Sequence, residues 1–345
     1  MGVTTIEWTD RSCNPLRALN IKTGAMGHYC EKVSSGCAHC YASGFQKRFG
    51  LPEFPGKSRL AKLPVINKEG RVPITDEIEI FLDQSKLDEV MRTRKPSRWF
   101  WLDMSDLFGS WVPDEWIDKI MCVMAATSRQ THQVLTKRPD RMLRYFKEWS
   151  DGIDGRDARC EVWLDRMCMS VASGNIESDC DISRPWPLPN LWLGTSCENQ
   201  ATFDQRSPLL NDTPAAVRFL SLEPLLGPID ISPFLESYTN RWVIVGGESG
   251  FIARPCNVQW IRSIVQQCKS YGVPCFVKQL GARPIDEVTK SAAELMFPNG
   301  VPAGVQVGGG YHRRAELSLS HKKGGDPKEW PADLNVREFP NVSVS

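Results

Sequence analysis

The sequence predicts a parallel α/β barrel of the (β/α)8 type, whole or partial, carrying one insertion and an irregular C-terminal tail. Three observations predict it. Short, almost continuously apolar runs of four or five residues recur along the chain, as in strands buried on both faces. Amphipathic helical patterns lie between several of them. Nearly every run is followed by charged or hydroxyl residues, at the strand ends where barrel enzymes carry their chemistry. A length of 345 residues with 41% hydrophobic side chains supports a core of that size. An open doubly wound sheet is the competing topology.

In chain order the expected strands are residues 28–33, 78–82 (IEIFL), 99–102 (WFWL), 132–135 (HQVL), 191–193 (LWL), 217–220 (VRFL), 242–245 (WVIV) and 274–277 (PCFV). Between them, Pro113 opens a helical pattern that puts Trp116, Ile117, Ile120, Met121 and Met124 on one face. A second stripe joins Ile261, Ile264, Val265 and Cys268 and stops at Gly272, a C′ glycine. Residues 149–189, rich in Asp, Gly, Ser and Pro, break the rhythm and read as an excursion from a barrel spanning 1–285. The pattern dissolves after Pro284, so residues 286–345 read as a wrapping tail.

With 42 basic and 41 acidic side chains the net charge is +1, which excludes whole-molecule attraction for nucleic acid. No basic stretch followed by an apolar core opens the chain, and no apolar run approaches a membrane span. The expected setting is therefore cytoplasmic and reducing, where the 12 cysteines read as metal ligands, reactive thiols or packing rather than disulfides.

Reading forward from each strand gives Asp103-Met104-Ser105-Asp106, Thr136-Lys137-Arg138, Thr195-Ser196-Cys197-Glu198-Asn199, Ser221-Leu222-Glu223-Pro224, Gly246-Gly247-Glu248-Ser249-Gly250 and Lys278-Gln279. Glycines straight after a buried strand allow backbone amides to approach a ligand, and Glu248 can accept from an amine. Glu223 is the best inward carboxylate; a salt bridge to Lys137, Arg138 or Lys278 is its structural alternative. Cys197 can donate a hydrogen atom to a substrate radical, although packing is the simpler role for a free thiol.

The strongest local signal is Cys30-Glu31-Lys32-Val33-Ser34-Ser35-Gly36-Cys37-Ala38-His39-Cys40. Three thiolates without an evident fourth ligand suit a [4Fe–4S] cluster with one iron open. S-adenosylmethionine is the natural ligand of such an iron, and its reductive cleavage yields a 5′-deoxyadenosyl radical. A zinc site is the alternative, with Cys13, His28 or His39 as the fourth ligand in a nucleic-acid-binding or adaptor protein. Unmetallated redox thiols are a third reading, and a hydrolase using Asp106, Glu223 and Lys278 is a fourth.

The segments Ile6-Glu7-Trp8-Thr9-Asp10, Cys30 to Tyr41, Met104 to Phe108, Leu135 to Pro139, Leu191 to Ser196, Leu220 to Leu225, Gly246 to Gly250, Phe276 to Gln279 and Trp330-Pro331 resemble a bacteriophage and prophage three-cysteine-motif family of unknown function. That family is in turn similar to the radical S-adenosylmethionine superfamily. The resemblance implies Cys30, Cys37 and Cys40 as cluster ligands, and His39 stacking on adenine. It implies a cofactor pocket drawn from His39, Ser196, Glu198, Gly246, Gly247, Glu248 and Ser249, with Glu223, Lys278 and Cys197 towards the substrate. It also implies an external electron donor, a methyltransferase-like partner, and a nucleotide or DNA base as substrate. Two features depart from the superfamily: the spacing here is C-x6-C-x2-C rather than C-x3-C-x2-C, and the Gly-Gly-Glu sequence follows a late strand rather than the second.

Among the remaining residues, Cys122, Cys268 and Cys275 read as core, and Cys160, Cys168 and Cys180 fit no standard motif. Trp99, Trp101, Trp116, Trp192 and Trp242 read as core packing. Arg92 to Arg98, Lys137 to Arg144 and Arg313-Arg314 read as solvated basic faces, with phosphate contact as the alternative.

Overall fold

The computed structural model describes residues 4–48, 50–56, 64–150, 187–236, 240–291 and 310–342. The elements, in order, are β1 (Arg11–Cys13), β2 (Leu16–Asn20), β3 (Met26–Gly27), α1 (Tyr41–Arg48), β4 (Arg71–Pro73), β5 (Ile78–Leu82), α2 (Gln84–Arg92), β6 (Arg98–Trp101), α3 (Asp114–Ala126), β7 (Thr131–Thr136) and α4 (Pro139–Ser150). They continue with β8 (Leu191–Ser196), α5 (Gln200–Asn211), β9 (Val217–Leu222), α6 (Ser232–Leu235), β10 (Arg241–Gly246), β11 (Cys256–Asn257), α7 (Val258–Ser270), β12 (Cys275–Gln279), β13 (Pro284–Ser291) and β14 (Gly310–Glu316).

Seven strands form one parallel sheet in the order β1-β6-β7-β8-β9-β10-β12. Each strand lies beside its predecessor and the order never reverses, so the sheet is singly wound like a barrel wall and not doubly wound. It curls into a half-barrel flanked by helices. Side-chain alternation divides the strands between two cores. Trp99, Trp101, Val134, Leu191, Leu193, Leu220, Leu222, Val243, Val245 and Val277 pack with the helices. Phe100, Trp192, Phe219, Trp242, Ile244 and Phe276 point the other way, into the concave side, together with Trp8. The rings interlock there, with centroids 4.5 Å apart for Trp8–Phe100 and 5.7 Å for Trp192–Trp242. Gly194 leaves room for Phe219, whose ring a Cβ would meet at 2.6 Å.

Three sequence expectations are corrected. Residues 28–33 are not a barrel strand; the first strand of the sheet is the three-residue β1, too short and polar to stand out. β5 is a strand as expected, but it belongs to an antiparallel four-stranded sheet, β3-β2-β5-β4. The tail is not irregular throughout. β13 pairs antiparallel with β14 and parallel with β11, in a segment whose polar residues had hidden its strand character. Farther on, Val277 N–H donates to Val336, Trp242 Nε1 donates to the Glu338 carbonyl, and Phe339 joins the concave aromatic cluster. Arg98 stacks on Phe339 at 4.1 Å while bonding Asp10 beside β1. The tail thus runs along the β12 edge and also reaches the β1 side.

The two predicted helical stripes are present, as α3 and α7, and the five named tryptophans are buried. Pro113 is the N-cap of α3 rather than its first residue. Gly272 (φ +65°) follows the C-cap of α7, and bonds from Gly272 to Lys269 and from Val273 to Cys268 complete a Schellman motif. Cys160, Cys168 and Cys180 lie outside the described residues. No helix among the described residues is long and apolar enough to cross a membrane.

The helix-side core carries a neutral histidine. Trp101 Nε1 donates to His132 Nδ1 at 3.0 Å, and His132 Nε2 meets Thr127 Oγ1 at 2.9 Å. Burial holds the His132 pKa down at about 3, against 6.5 for a free histidine. The unfolded chain therefore takes up a proton below pH 6.5 that the folded chain refuses. This stability is complete above pH 6.5 and is lost as pH falls towards 3, by up to about 1.4 kcal/mol per pH unit. Urea midpoints should drop between pH 7 and 5, and His132→Gln should flatten that slope whatever it does to absolute stability; an unchanged slope would contradict the assignment.

Candidate functional site

The cysteine loop lies across the C-terminal ends of the parallel strands and is fastened there at several points. Glu198, just beyond β8, accepts from Gly36 N–H at 3.0 Å and from Arg206 of α5 at 3.0 Å. Glycine at position 36 eases this approach, since a Cβ would stand 3.1 Å from the Glu198 carboxyl. Glu248, beyond β10, is gripped by Arg254 Nη2 at 2.5 Å and Nε at 2.9 Å, and His39 Nδ1 lies 3.1 Å from its Oε2. Arg254 also donates to the Ser35 carbonyl at 3.0 Å. At the other end of the loop Ser105 donates to the Tyr29 carbonyl at 2.6 Å and Arg138 to the Glu31 carbonyl at 3.2 Å.

These contacts set the charges. Burial would raise the Glu198 pKa, but the Ser34 hydroxyl, Arg206, the Gly36 amide and Lys137 hold it below the ordinary glutamate value. Burial is likewise outweighed at Glu248, where Arg254 and His39 bring the carboxyl down to about 2. Burial pushes the Cys30 thiol up to about 12, with the charges of Asp106, Cys40 and Cys37 opposing its ionisation too. At Cys37 burial loses to Lys137 and to hydrogen bonds from Val33 and Ser34, so that thiol ionises more readily than a free cysteine.

Cys30, Cys37 and Cys40 are half-buried free thiols on this one loop, within reach of one another's charges. Among the described residues, no three His, Cys, Asp or Glu side chains stand together as ligands for a metal ion. The nominated fourth zinc ligands are engaged elsewhere. Cys13 Sγ is buried in the helix-side core, 3.7 Å from the Lys86 carbonyl; His28 Nδ1 faces the Leu16 carbonyl; His39 faces Glu248.

The other predicted site residues divide. Glu223 and Lys278 meet at the mouth, Lys278 Nζ lying 3.2 Å from Oε1 and 3.4 Å from Oε2. Ser196, by the alternation of β8, shares the concave face with Trp192, whereas Cys197 points away into the helix-side core, fully buried, its pKa raised to about 12 by that burial. Gly246 and Gly247 serve packing more than ligand approach. A Cβ on Gly246 would stand 2.8 Å from Glu223 Oε1 and one on Gly247 2.4 Å from the Leu280 carbonyl, and Gly247 N–H already donates to Gln279. Ser249 is half-buried beside Glu248.

Asp106 accepts from Thr136 Oγ1, Phe108 N, Lys137 N and Arg138 Nη1, all within 3.1 Å, so both carboxylate oxygens are fully occupied. It braces the loop after β7 and is a poor hydrolytic base. Two of the predicted basic groups are similarly engaged. Arg98 serves Asp10, and Arg141 serves the Gly109 and Val112 carbonyls and Asp114.

Sequence reasoning named Asp103 only as one of the polar residues after a strand and gave Asn14 and Tyr41 no role. Leu102, straight after β6, has φ +60°, a conformation rare for leucine. Beyond it the Asp103 carboxyl accepts from Asn14 Nδ2 at 2.5 Å, and the Tyr41 hydroxyl donates to the Asp103 carbonyl at 2.8 Å. The strand-end position of Asp103 and the place of Tyr41 beside Cys40 were the sequence signals for this cluster.

Arg254 tests the fastening because it is partly exposed and bonds the loop directly. Arg254→Ala removes charge-assisted bonds worth roughly 1.5–3 kcal/mol each. Cys37 and Cys40 in metal-free protein should then react with a thiol reagent at least about tenfold faster, while the far-ultraviolet circular dichroism stays unchanged. Wild-type reactivity would mean that Arg254 does not hold the loop.

No curated protein of known function matches the chain, and no solved structure matches it. A family model described as a protein of unknown function, DUF5131, matches residues 3–301, a span that holds the cysteine loop and all seven strands of the parallel sheet. The chain belongs to the DUF5131 family.

Proposed function

We propose that this protein is a radical S-adenosylmethionine-type enzyme in which Cys30, Cys37 and Cys40 hold a [4Fe–4S] cluster at the mouth of a partial barrel. The observation that carries this reading is the position of the loop: three free thiols fastened over the C-terminal ends of a curled parallel sheet. The donor set fits. A four-iron cluster spreads its thiolates over different irons, so the three sulfurs need not converge on one ion. Lys137 and Arg138 stand close enough to lower the cost of thiolate charge. When bound, the cluster and S-adenosylmethionine supply the one-electron chemistry that makes a 5′-deoxyadenosyl radical.

The chain's own residues supply position and shielding. Glu198 and Glu248 hold the loop to the strand ends. Because Arg206, Arg254 and His39 already occupy these carboxylates, the amine-binding role implied for Glu248 passes to Glu223. Glu223 meets Lys278 Nζ at 3.2 Å through Oε1 and 3.4 Å through Oε2, and each oxygen keeps a further lone pair for an amine. Lys278 reaches the Glu223 carboxyl from β12, across β10, and orients it. The aromatic floor closes the concave side beneath and excludes water from the reacting centre. In this reading the substrate is a nucleotide or nucleic-acid base, an external donor supplies the electron, and the methyltransferase-like protein is a partner.

Anaerobic reconstitution tests the reading. The protein should bind about four irons and four sulfides, show thiolate-to-iron absorption, and form 5′-deoxyadenosine from S-adenosylmethionine under strong reductant. Cys37→Ala should lose both the absorption and the product. Stoichiometric zinc with no product would replace this reading with the zinc adaptor.

A further inference from the structure

The mouth holds a second polar cluster, on the side opposite β9 and β10. Three separate segments converge on it: Asn14 after β1, Tyr41 at the start of α1, and Asp103 after β6. Asn14 Nδ2 donates to Asp103 Oδ1 at 2.5 Å, and the Asn14 carbonyl oxygen Oδ1 accepts from Met104 N–H at 3.1 Å, which fixes the amide orientation. The Tyr41 hydroxyl gives its short bond to the Asp103 main-chain carbonyl and lies only within 3.4 Å of Oδ2. Oδ2 therefore keeps open acceptor capacity. The backbone at Leu102 bends into the left-handed region directly before this residue, the kind of strain that persists where a side chain must be aimed.

The cluster borders the space already assigned to chemistry. Tyr41 directly follows Cys40 of the loop, and its hydroxyl, bonded to Asp103, is in range of the Glu223 charge. Both carboxylates bordering that space keep acceptor capacity: Oδ2 of Asp103, and Glu223, whose Oε1 and Oε2 meet Lys278 Nζ at 3.2 and 3.4 Å. Four of the nearby cations are already paired, Arg138 with Asp106, Arg206 with Glu198, Arg254 with Glu248 and Lys278 with Glu223, while Lys137 stands on the Cys37 and Glu198 side. A ligand between these acceptors must bring its own N–H donors.

We propose that Asp103, aimed by Asn14 and Tyr41, is the substrate-recognising carboxylate of this mouth, and that it pairs with a planar edge carrying two adjacent N–H donors. Such an edge belongs to guanine (N1–H and the 2-amino group) or to a guanidinium. A carboxylate meets either edge with two parallel hydrogen bonds, as it meets arginine. The proposal deepens the radical-enzyme reading by naming the substrate side of the site, and it rests on that reading for the chemistry that follows binding.

Calorimetric titration of the full chain with GMP, IMP and agmatine tests it, run both before and after cluster reconstitution. GMP should bind, and IMP, which lacks the 2-amino donor, at least about tenfold more weakly. Agmatine binding more tightly than GMP would assign the edge to a guanidinium instead. Asp103→Asn should weaken whichever probe binds by at least about tenfold while leaving the far-ultraviolet circular dichroism unchanged. Equal binding of GMP and IMP with no agmatine binding, an Asp103→Asn protein that binds like wild type, or no binding of GMP or agmatine would overturn the proposal. Loss of iron or of S-adenosylmethionine cleavage in the wild type would instead overturn the radical-enzyme reading, so the two failures are separable.

Discussion

The site depends on two buried or nearly buried carboxylates that turn a surface loop into a wall of the mouth. Glu198 and Glu248 each carry an arginine partner and also bond the cysteine loop, at Gly36 and His39 respectively. A carboxylate taken out of water is costly unless charge and hydrogen bonds replace the lost solvation. Here those replacements come from the loop itself. The loop cannot lift away without leaving both carboxylates partly unsatisfied. Its cysteines are thereby held at the ends of β8 and β10, and Glu223 lies just beyond β9 between them. Placement that depends on charge pairing rather than on apolar burial also leaves the thiols half-exposed and open to a ligand.

The half-barrel below divides by depth. Near the start of the strands the concave side is filled by Trp8, Phe100, Trp192, Phe219, Trp242 and Phe276, joined by Phe339 from the tail. Near their ends it becomes polar, with Ser196, Glu223 and Lys278. A sheet with two free edges would expose unpaired backbone along β12. The segment around Val336 and Glu338 covers that edge with hydrogen bonds, and Phe339 and Arg98 extend the cover towards β1. The tail thus contributes to the half-barrel.

Much of this was legible in the sequence because parallel strands buried on both faces write themselves as apolar runs. Runs such as Trp242 to Val245 and Leu191 to Leu193 could hardly be anything else at that length. β1 was not legible: Arg11-Ser12-Cys13 is short, and its place comes from pairing with β6 rather than from its own pattern. β5 has the right residues for a barrel strand, and only long-range pairing with β2 and β4 sends it to the antiparallel sheet. The candidate site shows the same division. That Glu198 and Glu248 matter was readable from their positions after strands, but whether they meet a ligand or the cysteine loop depends on contacts across 162 and 209 residues. Cys197 shows how one residue of register decides a role, since its neighbour Ser196 faces the concave side and the thiol faces the core. Asp103 was legible only as one polar residue after a strand, because nothing local reveals that Asn14 and Tyr41 will meet it.

The account turns on the three loop thiols holding an iron–sulfur centre that is open to a ligand. Electron paramagnetic resonance of the reduced, reconstituted full-length protein, recorded with and without S-adenosylmethionine, addresses that claim most directly. The account predicts a reduced-cluster signal whose g values shift when S-adenosylmethionine is added, and its absence in Cys37→Ala. A cluster signal that S-adenosylmethionine leaves unchanged, or a protein that takes up zinc and gives no signal, would contradict it.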